Sequence, residues 1–352
     1  MNISACPSEP TDADTDPLGQ DRLQWPDNSV SLMNTLLLTR SEIASLLDVA
    51  ALTRQLRAGF IWYSQNRTDR AKRVGASLPG PGTATVLFPG TALELPIYTV
   101  KVHAKFPDQE PAIRGVLCLH SAASGDLLAV MDSTLLTAVR TGLSGALAAD
   151  VLARSDADSV AVIGAGVQGR QQLVSLAAMR PLRHVWAYDI TPAAAALFAQ
   201  QMTEALGVPV RVMRSVASAV RDARIVLAAT WSRSPLIESG MLAPGTHVTT
   251  LGADEPGKVE VSQAVIRSSA FFCDDGELAV EMGALAGAGL SHDHVAAELG
   301  EVLAATHPGR TAGEQITVYG GVGLAFQDAI CAGAIYQAAI NTGIGSPINF
   351  LS

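Results

Sequence analysis

The stretch Val160-Ala-Val-Ile-Gly164-Ala-Gly166-Val-Gln-Gly169-Arg170, followed by Val185-Trp-Ala-Tyr-Asp189, decides the fold of this 352-residue chain. A β-branched run enters a glycine turn, an apolar helix starts at once, and a second short strand ends on an acid. Each glycine has a separate reason. Gly164 permits the tight turn, Gly166 lets backbone approach a pyrophosphate, and Gly169 lets the helix lie close to the strand. The first helical residues, Val167 and Gln168, then offer their amides to phosphates. Asp189 stands twenty residues past Gly169, where a carboxylate can accept both ribose hydroxyls. This set predicts a dinucleotide-binding βαβ unit with NAD as its cofactor. NADP is disfavoured, because a carboxylate repels a 2′-phosphate and Ile190-Thr191 supplies no arginine to hold one.

Composition bounds the rest. With 48% hydrophobic and 16% charged residues, the chain can bury a sizeable core and is long enough for two lobes. A net charge of −9 without a basic cluster argues against nucleic acid and anionic membranes as partners. No uninterrupted apolar run approaches the ~18 residues that suggest a membrane span. Residues 1–30 are acidic and proline-rich, and read as a loose tail rather than a signal or transit peptide. The four cysteines (Cys6, Cys118, Cys273, Cys331) form no C-x-x-C pair, so buried thiols in a reducing cytoplasm are expected. His292-Asp293-His294 lacks a third ligand at a sensible spacing, so it reads as a surface loop and no metal is expected.

Along the chain, Ser41 is placed to cap a helix through Ile43, Leu46, Leu47, Ala50 and Leu56, with Gly59 beyond its end. From Val74 to Met131 short β-rich runs broken by Pro and Gly predict a mostly antiparallel sheet. Ser133 to Arg154 is a long helical stretch that leads into the nucleotide strand and holds the domain junction. Arg224–Thr230, His247–Gly252 and Ala270–Asp274 then read as strands of a doubly wound parallel sheet. The segment from Ile316 to Asp328, followed by an Ala-rich helix, is expected beyond the nucleotide domain, returning to the first lobe.

Arg73, Lys101, Arg140 and Asp254 are charges at positions where apolar residues are the default. Isolated charges of this kind are more often solvated. Their context changes the weighting. Thr99-Val-Lys101-Val, Leu136-Thr-Ala-Val-Arg140-Thr-Gly, the glycine fingerprint, Ala229-Thr230, Leu251-Gly-Ala-Asp254-Glu-Pro-Gly-Lys258-Val-Glu260 and Gly321-Val322-Gly323-Leu-Ala-Phe-Gln-Asp328 occur in order. With these motifs the chain resembles the ornithine cyclodeaminase and mu-crystallin family over nearly its whole length after the tail. The resemblance implies an α/β fold: a Rossmann doubly wound parallel sheet domain (141–317), inserted in an α+β substrate-binding and dimerisation domain (31–140 and 318–352). It also implies a homodimer. Arg73, Lys101 and Arg140 match basic positions that grip a substrate carboxylate, with Val322 beside the substrate. Asp254 matches the acid facing the amine, and Asp254 and Lys101 stand as the catalytic pair. Thr230 and Arg140 join Gly164, Gly166, Val167, Gln168, Gly169 and Asp189 around the cofactor. A guanidinium can hold a carboxylate bidentately, and a carboxylate beside the reacting nitrogen can shuttle its proton.

Three functions are open to such a chain: an NAD(H)-dependent imine reductase or amino-acid dehydrogenase for a small 2-imino or 2-amino acid; an ornithine or lysine cyclodeaminase; and a nucleotide-binding protein with little catalysis. Val86 stands where an ornithine-processing relative resembles Glu, and Ala112 near where one offers Thr, which favours the first. Phe88-Pro89 replaces the family's Met-Pro. Retention of all four charged positions argues against the third. His103 and Lys105 share the face of Lys101 by period two; a solvated edge or dimer surface is the favoured reading for them, and a larger basic pocket for a second carboxylate the other.

Overall fold

The protein is described from a computed structural model covering residues 34–66, 73–80, 82–92, 95–106 and 109–350. The tail expected at 1–30 lies outside the described residues, as does Cys6. Two sheets organise the chain. The first has seven strands in the spatial order Ser346–Ile348, Thr35–Leu38, Leu127–Asp132, Ile113–Ser121, Ile97–Lys105, Ala84–Thr91 and Val74–Ser77. Its pairs are antiparallel except Thr35–Leu38 with Leu127–Asp132, which run parallel.

The second sheet has eight parallel strands in the order Val295–Glu298, Ala270–Cys273, Thr317–Gly320, His247–Thr250, Ile225–Ala228, Ser159–Ile163, His184–Tyr188 and Val210–Val212. Its inner strands are buried at every residue, which explains why their sequences read as continuous runs without alternation. Thr317–Gly320 corrects an expectation. It is an interior strand of this sheet, so the chain leaves the nucleotide domain only after Gly320.

Helix Ser133–Leu152 joins the two units. Asp132 caps it by accepting the Leu135 amide at 2.9 Å. It is long and apolar enough to cross a bilayer, yet most of it is buried in the core, where its residues pack with both the first-lobe helices and the nucleotide helix Val167–Met179. The N-terminal helix is also corrected. Thr39, not Ser41, is the cap, in a reciprocal pair with Glu42, and the helix stops at Leu46. Asp48 then caps a second helix, Val49–Gln65. Gly59 lies inside that second helix, where a Cβ would come within 2.5 Å of Ile330 Cδ1. Apolar spacing alone cannot show the break at Leu47, because both helices keep their apolar residues on the same buried side.

Helix Ala325–Thr342 returns to the first lobe and fills its centre. Phe326 meets Phe60 edge-on at 5.2 Å and Tyr63 at 5.3 Å, and Ile330, Ile335 and Tyr336 are buried beside them. Ile97–Lys105 is an interior strand whose residues 97, 99, 101 and 103 face inward onto these helices. His103 therefore does not belong to a solvated edge or dimer surface; it is buried and bonded to Ser133 Oγ at 2.7 Å. Desolvation and the charge of Lys101 push its pKa down to about 3, so it is neutral. Removing the Phe326 ring by Phe326→Ala is expected to cost about 3–5 kcal/mol of unfolding free energy, read as a lower denaturation midpoint.

Candidate active site

The three fingerprint glycines meet three different demands. Gly164 has φ +102°, and a Cβ there would lie 2.5 Å from the Ala229 carbonyl oxygen. At Gly169 a Cβ would come within 2.1 Å of the Gly164 carbonyl oxygen, so the helix could not pack as close. At Gly166 it would meet nothing within 4 Å, because this residue borders an open cleft. No side chain caps the helix that starts here, which leaves its positive end for an anion. Asp189 accepts the Ala165 amide at 2.8 Å through one oxygen and the Thr191 amide at 2.8 Å through the other. It thereby closes the glycine turn and fixes its own carboxylate in the cleft wall beside Gly166. The cleft measures about 420 Å³. Toward the interior, Gln168 Oε1 is buried without a hydrogen-bond donor among the described residues. Open backbone at Gly166, an uncapped helix, a placed carboxylate and an orphaned acceptor together fit a dinucleotide.

Thr230 stands where this cleft joins a second, of about 130 Å³. It is held by Glu260, a buried acid that the sequence showed only as part of a motif. Glu260 accepts the Thr230 amide, the Thr230 hydroxyl at 2.8 Å, the Thr250 hydroxyl at 2.6 Å and the Gly252 amide at 2.8 Å. Burial raises its pKa and these bonds oppose the rise. One side chain thus ties together the carboxyl ends of two central strands.

Arg140 lines the inner cleft from the long helix. Its Nη1 donates to Gln327 Oε1 at 2.9 Å and its Nε to Asp328 at 3.2 Å. The described residues offer no partner for Nη2. Asp328 also receives the Lys101 ammonium at 2.5 Å. Burial alone would raise the Asp328 carboxyl, but Lys101 and Arg140 outweigh it and hold it below the usual range. Desolvation dominates at Lys101 and lowers its pKa to about 7 despite Asp328. Lys101 therefore stands one layer behind the cleft wall, reaching the site through Asp328 and Arg140.

Arg73 acts on the backbone beside the cleft. It donates to the carbonyls of Val322 (2.6 Å) and Gly323 and lies over the Phe88 ring at 4.6 Å. Desolvation lowers its pKa. The amides of the same two residues donate to Asp274, at 2.9 Å from Val322 and 2.6 Å from Gly323. A carboxylate on one side and a guanidinium on the other thus clamp the segment that carries Val322. Gly323 has φ +87°, and a Cβ there would lie 2.5 Å from Arg140 Nη1, so only glycine lets the guanidinium rest against this backbone.

Asp254 lies across the cleft from these groups, with a third (34%) of its side chain exposed. Lys258 donates to it at 2.8 Å. Burial would raise its pKa, yet Lys258, Lys105 and Arg73 prevail and keep it low, so it is ionised at neutral pH. Lys258 in turn sits over the Trp231 ring at 4.2 Å, and Trp231 borders both clefts. Lys105 pairs with Glu255. Asp274, Asp328, Gln327, Lys258 and Glu260 carry no role that sequence reasoning assigned; acids inside apolar runs, as in Val259-Glu-Val, were the available signal. His292–His294 forms a short 3-10 turn in which His294 meets Arg267 at 3.3 Å, and the described residues contain no group of His, Cys, Asp and Glu able to hold a metal.

An open dinucleotide cleft continuous with a smaller one that holds a guanidinium and an ionised carboxylate defines a nucleotide-dependent enzyme for small charged molecules. Residues 33–343 match the model of the Ornithine cyclodeaminase/mu-crystallin family, and the chain belongs to that family. Alanine dehydrogenase of Archaeoglobus fulgidus is 30% identical over 329 residues, covering 90% of this chain and 99% of the relative. The structure of Thermococcus litoralis Delta(1)-pyrroline-2-carboxylate reductase in complex with NADH and L-proline superposes with a TM-score of 0.84 at 27% identity, covering 89% of this chain and 100% of that one. An archaeal alanine dehydrogenase dimer with bound NAD also gives 0.84, at 30% identity and coverages of 90% and 100%.

Desolvation pushes Asp274 up to about 6, against the two amide bonds. Asp275 adds to the rise and Arg73 opposes it. The ionised form that accepts both amides is therefore lost as pH falls through about 6. Hydrogen exchange at Val322 and Gly323, corrected for intrinsic rates, should accelerate below that pH in the wild type. Asp274→Asn should show the faster exchange at pH 8 as well, by about tenfold if one bond is lost, while the parallel strands stay protected.

Proposed function

We propose that the chain is an NAD(H)-dependent imine reductase or amino-acid dehydrogenase acting on a small 2-imino or 2-amino acid. The observation that carries this reading is Arg140. Two of its three nitrogens are spent on Asp328 and Gln327, so the guanidinium is fixed in one orientation with its remaining edge toward the cleft. A carboxylate bound there is placed between the glycine fingerprint side and Asp254. NAD, when bound, exchanges a hydride with the substrate's α-carbon. Asp254, held ionised by its cations, faces the nitrogen, favours its protonated form and accepts a proton from it. Val322 and Gly323 form the adjoining wall, and Trp231 borders both clefts. The named activities of the relatives, on alanine and on a cyclic imino acid, agree with this chemistry.

Cyclodeamination of ornithine needs an acid for the distal ammonium. Val86 pairs with His103 in the strand register, so an apolar side chain occupies that part of the inward face. With purified protein, ammonium or methylamine and a panel of 2-oxo acids, NADH absorbance should fall for at least one acid. Arg140→Ala should lower that rate at least about 100-fold, as expected for loss of a charged contact that positions the substrate, while NADH still binds. Ammonia released from ornithine with catalytic NAD and no reductant would instead assign the cyclodeaminase.

The same proposal includes a homodimer in a reducing, cytoplasmic setting. Cys273 and Cys331 are buried free thiols; desolvation raises both, Cys331 to about 12, which keeps them unreactive. For the dimer, Val74, Leu87, Val102 and Val116 lie in register across four strands, on the outer face of the first sheet, and all four are exposed. A row of this kind suits a second copy related by a two-fold axis, and the archaeal alanine dehydrogenase is a dimer. Val102→Arg should shift the sedimentation coefficient from dimer to monomer.

A further inference from the structure

The inner cleft has two charged ends. Arg140 forms one. At the other, Lys105, Lys258 and Arg233 gather around Glu255 and Asp254. Glu255 alone takes three cations: Lys105 on Oε2, and Lys258 at 3.5 Å and Arg233 at 3.9 Å on Oε1. The two lysines balance the two carboxylates before any substrate enters, while Arg233, 66% exposed, reaches Glu255 from the solvent side; a protonated substrate nitrogen at Asp254 then gives a positive surplus. The lysines are not solvated: the Lys105 side chain is 13% exposed and that of Lys258 is 6%. Cations buried to this degree call for anionic partners.

Lys105 is the third inward residue after Lys101 and His103, and it differs from both in how it is satisfied. Lys101 has Asp328, and His103 has Ser133. Lys105 shares an acid that two other cations already hold. An incoming carboxylate can take Lys105 without stranding Glu255, which keeps Lys258 and Arg233. An incoming ammonium meets the reverse situation. Among the described residues it finds Lys105 and Lys258, no acid free of a partner, and, on the neighbouring strand, Ala84 opposite Lys105 and Val86 opposite His103. Lys105, Ile113 and Thr137 line the cleft on this side, and its volume, about 130 Å³, suits a short chain.

We propose that the substrate is a short 2-imino dicarboxylic acid, or its 2-amino counterpart, with its distal carboxylate on Lys105; this rests on the reading of the site as an NAD(H)-dependent imine reductase. In the reductive direction a 2-oxo dicarboxylate and ammonia lose water to give the imine. The imine carbon then gains the hydride and the nitrogen a proton, which leaves the 2-amino dicarboxylate and NAD⁺. Lys105 decides between substrates, and Arg140 and Asp254 serve any of them.

The test is kcat/KM for NADH oxidation by the full-length protein with ammonium and either oxaloacetate or pyruvate. Oxaloacetate should be favoured at least about tenfold, the worth of one charge-assisted hydrogen bond. Lys105→Met should cut the oxaloacetate-to-pyruvate ratio by about the same factor, and Lys105→Arg should retain it. Independently of turnover, succinate should raise the melting temperature of the NAD⁺-supplemented protein more than propionate does, and Lys105→Met should erase the difference. Preference for pyruvate, an unchanged ratio in Lys105→Met, or equal protection by succinate and propionate overturns the distal carboxylate site. If neither oxo acid oxidises NADH but another acid of the panel does, the dicarboxylate proposal fails and the reductase reading stands; if none of the panel does, the reductase reading fails, and the succinate comparison then decides the anion site alone.

Discussion

The buried carboxylate of Asp328 is the constraint on which the site depends. It lies on the returning helix, receives Lys101 from the first sheet and receives Arg140 from the helix that joins the lobes. Three elements distant in sequence are thus joined at one side chain. Removing charges from water is expensive, and a buried ion pair gains little net stability over an apolar replacement. What this group achieves is orientation. With Nε and Nη1 committed, Arg140 cannot swing, and its free edge has one direction. Lys101 contributes by balancing Asp328, and its burial away from water pulls its pKa down to about 7.

A second clamp works beside it. Asp274 ends one strand of the parallel sheet and takes the amides of Val322 and Gly323, while Arg73 takes their carbonyls. The segment is held from both faces by opposite charges and cannot tilt without breaking one set. Glu260 performs a related task at Thr230, Thr250 and Gly252. The cleft is therefore built from short irregular segments, each fixed by one buried ion. Such segments have no ladder hydrogen bonds of their own, and the buried ions substitute for them.

Legibility in the sequence followed the range of the interactions. The fingerprint glycines and Asp189 act within some thirty residues, through turn geometry and helix ends, and their roles were readable at once. The strands of the parallel sheet were readable because burial on both faces leaves continuous apolar runs. Whether Ile97–Lys105 was an edge or an interior strand depended on Ala84–Thr91 and Ile113–Ser121 pairing on either side of it, which no local pattern states. His103 was misjudged for that reason. The two-helix break at Leu47 was hidden by a competition among Thr39, Ser41 and Asp48 for the capping position. Thr317–Gly320 inserts between two strands that precede it in the chain, so sequence order gave no hint that it belonged to the sheet. Arg73 and Lys101 were visible as unusual charges; that their partners are two backbone carbonyls and Asp328 was not.

The place of residues 317–348 has a consequence for how the protein comes into being. Thr317–Gly320 completes the middle of one sheet, Gln327 and Asp328 orient Arg140, and Ser346–Ile348 pairs with Thr35–Leu38 at the edge of the other. A ribosome that has made the first three hundred residues has therefore produced neither a finished sheet nor a working cleft. The N-terminal strands must wait, with apolar faces uncovered, for a helix synthesised near the end. Pairings this distant in sequence form slowly. Truncated products lack the acid that balances Lys101 and Arg140, so an incomplete chain is left with unpaired buried cations and is marked as incomplete by its own instability.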